Sequence, residues 1–141
     1  MASGSTIRNA AHGGDRPRHY KELQIWQKAM AMTKMIYKLT DNFPDRERYG
    51  LISQMRRAAV SVPSNIAEGQ ARQGTREYLQ FLSHAGGSLA ELETQLLLSE
   101  DLGFAKRQET MRIGEAIAEM QKMLAAIRRK LSSLQPLATS H

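Results

Sequence analysis

The chain has 141 residues and a mass of 15.8 kDa, enough for one domain that buries its own core. It contains no cysteine, which excludes disulfides, thiolate metal sites and cysteine nucleophiles, and its four histidines, His12, His19, His84 and His141, have no metal-ligand spacing. The net charge of +6 invites an anionic partner, whereas no apolar run approaches the roughly 20 residues that span a bilayer, and residues 1–18 lack the apolar block of a signal peptide. The expected location is therefore the cytoplasm, with no membrane partner, no metal and no cofactor.

Residues 1–18 are rich in Gly, Ser, Ala and Arg without periodicity and are expected to be a disordered tail; residues 135–141 are expected to be a flexible one. Between them, over 19–134, the apolar spacing predicts four helices and no strand. Helix 1, about 21–41, carries two apolar series, Leu23, Trp26, Met30, Tyr37 and Ile25, Ala29, Met32, Ile36, Leu39, and stops at Asn42-Phe43-Pro44. The two series point roughly 110° apart at about 100° per residue, leaving the lysines, Lys28 among them, on the remaining face. Such a wide arc fits either a helix seated deeply in a monomer or one that also meets another protomer. In the second case Trp26, Met30, Tyr37, Ile25 and Met32 would form the oligomer interface.

Helix 2, about 47–73, has Asp45 as its expected N-cap and an inward series of Leu51, Ile52, Met55, Ala59, Val62 and Ile66. It runs through Pro63, and a proline inside a helix removes a donor and crowds the preceding turn at about 3 kcal/mol. The expectation is a bend at Pro63, with Asn65 and Glu68 satisfying the freed backbone or facing polar groups, and with Gly69 and Gly74 punctuating a tight turn. Helix 3, about 76–102, repeats leucines at four-and-three spacing, with Thr75 expected to cap it and Gly103 to stop it. Close approach of a neighbouring helix is the expected compensation for Gly86-Gly87 within it. Helix 4, about 106–134, continues the pattern with Ile113, Ile117, Met120, Leu124, Ile127, Leu131 and Leu134. The fold class is all-α, an antiparallel up-and-down four-helix bundle.

Charge is unevenly divided. Helix 3 has one basic residue against five acidic, while helix 4 has seven against three. Arg128-Arg129-Lys130 suits either a helix carboxyl end or a phosphate, with successive side chains about 100° apart. Lys106 and Arg107 place cations at a helix amino end, where they are slightly unfavourable and ask for another reason. Arg57 lies on the outer face near Ser61, Ser64 and Glu68 and could either hold a phosphate oxygen or pair with Glu91 or Glu93; for Arg56 a pair within the protein is expected. Nucleic-acid-binding candidates are therefore Arg57, Lys106, Arg107, Lys28 and Arg129. No catalytic residue is assigned, because Ser64, Asn65, Glu68, His84 and Glu91 have no spacing that makes a nucleophile, a base and an orienting group.

Several dispersed motifs carry a resemblance. Glu22-Leu23-x-x-Trp26-Gln27-Lys28-Ala29, Phe43-Pro44, Tyr49-Gly50-Leu51, Pro63-Ser64-Asn65-Ile66-Ala67-Glu68-Gly69, Gly87-Ser88-Leu89-x-Glu91-Leu92 and Leu102-Gly103-Phe104 resemble the bacterial four-helix-bundle family of proteins encoded in intervening sequences of large-subunit ribosomal RNA genes, once labelled S23 ribosomal proteins. The resemblance runs from about residue 21 to 134 and implies a bundle assembling as a ring-like homopentamer. It further implies kinship with accessory proteins of diversity-generating retroelements, which bind nucleic acid through basic surface and associate with a reverse transcriptase. Lys106 and Arg107 depart from the family pattern, which has a capping hydroxyl and an acid there. The expected function is that of a non-enzymatic, oligomeric accessory protein binding structured RNA or RNA-DNA hybrid, with self, RNA or DNA, and a reverse transcriptase as partners. The alternative is a protein-protein scaffold ring.

Overall fold

The computed structural model describes residues 19–134; the expectations for 1–18 and 135–141 lie outside them. Four helices fill this span: α1 Gln24–Thr40, α2 Leu51–Ala71, α3 Thr75–Asp101 and α4 Arg107–Ser132, with short 3-10 turns at Tyr20–Glu22 and Asp45–Glu47. Each helix packs on its sequence neighbour and α4 closes onto α1, so α1 and α3 occupy opposite corners of an up-and-down bundle. The core is the set that the helical period selects, including Ile36, Met55, Val62, Ile66, Leu82, Leu89, Leu92, Ile117, Met120 and Leu124. Each buried aliphatic side chain of this kind stabilises the fold by about 1.5–3 kcal/mol.

The helix ends differ from expectation in informative ways. Asp45 does not cap α2, because residues 45–47 form their own 3-10 turn and Gly50 takes the N-cap position. The carboxylate of Glu47 instead accepts from the Leu51 N–H at 3.1 Å. Gly74, rather than Thr75, is the N-cap of α3, which starts at the threonine itself. At the far end Gly103 adopts φ +79°, the Gly103 N–H donates to Glu100 O at 3.0 Å, and the Phe104 N–H donates to Ser99 O at 2.9 Å. This is the glycine stop that the sequence predicts, and it satisfies two of the helix's last carbonyls.

α2 remains one helix through the buried Pro63. Since proline cannot donate, the carbonyl left without its helical partner is that of Ala59, four residues earlier. Thr33 of α1 reaches it: its Oγ1 lies 3.1 Å from Ala59 O and 2.8 Å from Ala29 O, so one hydroxyl proton serves the two carbonyls. Asn65 does not serve this role, because its Nδ2 donates to Ser61 O at 2.7 Å, and Glu68 faces Arg72 at 3.9 Å.

Gly69 is buried in the seam between α2 and α3. A Cβ there would stand 2.9 Å from Phe81 Cβ and 2.9 Å from Tyr78 Cδ1, so only hydrogen fits. About two turns along the same seam the hydroxyls of Ser61 and Ser88 hydrogen-bond. Gly86 and Gly87 are different: Gly86 has only ordinary contacts and Gly87 faces open space, so a closely approaching helix within the chain does not account for them.

Candidate nucleic-acid interface

The cations single out α1. It contains Lys28, Lys34 and Lys38 and no acid, whereas α3 at the opposite corner contains Arg76 against Glu77, Glu91, Glu93, Glu100 and Asp101. Surface grooves run along both flanks of α1. On the α4 side, Lys38 and Arg112 share a groove with Met35, Asn42 and Glu109. On the α2 side, Tyr37, Ser53, Arg57, Val60 and Ser64 line another, and Lys34 and Lys38 also border a third on the helix's outer face. Among the described residues Lys34, Lys38, Arg57 and Arg112 form no ion pair.

Arg56 and Arg57, adjacent in sequence, have opposite fates. The Arg56 guanidinium is fixed by Thr40 Oγ1 at 2.8 Å, Tyr37 O at 3.2 Å and Asp41 Oδ1 at 2.9 Å, and it lies 4.5 Å from the centre of the Tyr37 ring. It is the half-buried fastening between α1 and α2. Arg57, about 100° further round, is exposed and pairs with neither Glu91 nor Glu93.

The five predicted nucleic-acid residues do not converge. Lys28 is held by Glu119 at 3.1 Å. Arg107 lies 3.8 Å from Glu100, whose other oxygen accepts from Thr110 at 2.6 Å. The cation at this helix start is thus answered by an acid from the end of α3. Lys106 is exposed, and its N–H donates to Glu109 Oε1 at 3.3 Å, so the acid three residues on supplies capping that a lysine side chain cannot. Arg129 is exposed in the last turn of α4, about 35 Å along the helix from Lys106 at 1.5 Å per residue. Of the five, Lys28 sits on α1 but is engaged by Glu119, and Arg57 alone joins Lys34, Lys38 and Arg112 as an unpaired cation beside α1. Lys34, Lys38 and Arg112 were not singled out, although the excess of lysine over acid within α1 was a visible signal.

The predicted oligomer residues also separate. Ile25 and Met32 are spent in the core at 2% and 1% exposure, which removes them from any interface and corrects the expectation for both. Trp26 is half-buried against the core and meets the Tyr20 ring edge-on at 5.3 Å, so part of the second apolar stripe is covered within the chain. Met30 and Trp26 border the outer groove of α1, whereas Tyr37 turns into the α1–α2 groove. Besides Tyr37 and Val60 in that groove, and the scattered Tyr49 and Leu134, exposed large apolar side chains lie at one end of α3 and α4, on Leu97, Leu98, Leu102 and Met111.

Among the described residues the catalytic candidates His84, Glu91, Asn65 and Glu68 have separate local partners. His84 packs edge-on against Phe81, and Glu91 accepts from Gln95 at 3.4 Å, while Asn65 and Glu68 have the local partners described above. Among the described residues no group of His, Asp or Glu could hold a metal ion, and no helix is long and apolar enough to cross a membrane.

The family model for the 23S rRNA-intervening sequence protein matches residues 21–126. A crystal structure from Bacteroides thetaiotaomicron, described as a protein of unknown function from the S23 ribosomal protein family, is similar in fold with a TM-score of 0.67. It is 22% identical and covers 74% of this chain and 97% of its own. No curated protein matches significantly.

Proposed function

The chain belongs to the 23S rRNA-intervening sequence protein family, and on that premise we propose that it acts as a non-enzymatic, oligomeric nucleic-acid-binding accessory protein holding structured RNA or RNA-DNA hybrid. The observation that carries this reading is the unpaired cationic surface of α1, in which Lys34 and Lys38 are flanked by Arg57 of α2 and Arg112 of α4. Such a surface meets phosphates by charge and shape, so binding is steeply salt-dependent and weakly sequence-dependent. Self-association is supported by the opposite charge of α1 and α3 at opposite corners, which suits a head-to-tail contact that repeats into a closed ring.

Fluorescence anisotropy with a structured RNA at about 100 mM salt tests the reading. Binding that falls steeply with salt, and falls at least tenfold in the Lys34→Glu/Lys38→Glu double variant, is the expected result. Absent or salt-indifferent binding sinks it. The exposed Leu97, Leu98, Leu102 and Met111 favour a second reading, a scaffold that docks a protein partner. Under that reading the lysine variants keep partner binding and Leu98→Asp loses it. A stable species of 15.8 kDa in light scattering removes the ring.

A further inference from the structure

We propose that the groove between α1 and α2 is a subsite for one unpaired nucleotide, with its base stacked on Tyr37 and its phosphate held by Arg57. The proposal rests on the nucleic-acid reading above and specifies what the surface grips. Tyr37 is 40% exposed although it belongs to an otherwise well-packed helix pair, and Val60 beside it in the groove is 41% exposed. An aromatic ring and an aliphatic wall, both partly open to solvent and bordered by Arg56, Arg57 and three serines, match the face of a base joined to a phosphate.

The ring is also held in place. Arg56 lies 4.5 Å from the Tyr37 ring centre and is itself fixed by three hydrogen bonds, to Thr40, Asp41 and the Tyr37 carbonyl. Because the guanidinium is engaged in this way, it acts as a positioning group. Stacking then costs little side-chain entropy, since the aromatic is already oriented. Arg57 is the cation left over, exposed and without an ion pair among the described residues, on the helix face that also carries Ser53 and Ser64. A charge-assisted contact to a phosphate oxygen, with a serine hydroxyl as second donor, is what this combination provides. A paired base inside a helix hides its face in the stack, so the subsite selects loops, bulges and single-stranded ends over continuous duplex.

The test uses the full chain and two RNAs of equal length, a hairpin with an unpaired loop carrying 5-iodouridine and a continuous duplex. Tighter binding of the hairpin and a photocrosslink mapped to Tyr37 by mass spectrometry are expected. Tyr37→Ala should weaken hairpin binding by about fivefold or more while leaving duplex binding and the salt slope unchanged, since base stacking on an aromatic is worth that much per base. Tyr37→Phe should retain wild-type affinity, and Arg57→Gln should reduce the salt slope by about one. Circular dichroism of each variant separates these effects from unfolding. Salt-dependent binding of both RNAs with no effect of Tyr37→Ala overturns the subsite and leaves the nucleic-acid reading intact. Binding of neither RNA overturns that reading and this one with it. A change of assembly mass in Arg57→Glu shows the groove covered by a second copy, which also overturns the subsite.

Discussion

The α2–α3 seam and the outer surface of α1 are built from opposite materials. Along the seam there is no spare room: Gly69 lies where a single added carbon would stand 2.9 Å from two neighbours, and Leu82, Leu89 and Leu92 are fully buried. On the outer surface of α1, Lys34 and Lys38 form no ion pair among the described residues, grooves run along both flanks, and a tyrosine remains two-fifths exposed. The difference teaches where each kind of substitution should register. The seam holds free energy of folding, and the α1 surface holds free energy of association.

The largest effect expected is on the seam. Leu89→Ala removes a side chain with no exposure and should cost about 2–5 kcal/mol in urea unfolding, the spread reflecting how far the site collapses. Gly69→Ala, which adds one carbon, should cost about 1–3 kcal/mol by overpacking. A neutral result there would mean that α3 can retreat from α2 freely, and the contrast between the two regions would weaken. Thr33→Val should cost about 1 kcal/mol by stranding the Ala59 carbonyl. Most of that cost should disappear when Pro63→Ala is introduced as well, because alanine restores the missing donor; a double-mutant cycle with no coupling would remove Thr33 as the compensating group. Smallest in stability, and largest in binding, is Lys34→Glu/Lys38→Glu. It should leave the unfolding free energy within about 0.5 kcal/mol per site while RNA affinity collapses. Equal losses in both measurements would erase the distinction between seam and surface.

The bundle was legible because periodicity is a local property. Leu82, Ala85, Leu89, Leu92 and Leu96 recur at helical spacing, and each is buried. In α4 Ile113, Ile117, Met120, Leu124 and Leu131 are buried and Ile127 partly so, whereas Leu134, expected to continue the series, lies past the helix end at Ser132 and is exposed. Gly103 stops α3 in the left-handed conformation that its residue type permits. The caps were less legible: Asp45 and Thr75 have the right chemistry one step from where the backbone places the cap. The candidate site was least legible. Nothing in the spacing of Arg107 shows that Glu100 answers it, and nothing near Arg57 shows that both Glu91 and Glu93 lie beyond reach.

Side-chain type and period along the chain therefore determined the helices, their inward faces, the stop after α3 and the contrast of an acidic α3 with its basic companions. Only the tertiary structure decided that Ile25 and Met32 belong to the core, that Thr33 serves the carbonyl freed by Pro63, and which cations keep their charge unpaired. Burial follows a repeat that every few residues restate. An ion pair or a hydrogen bond between helices depends instead on distances of a few ångströms between positions far apart in sequence, which exist only once the helices have docked.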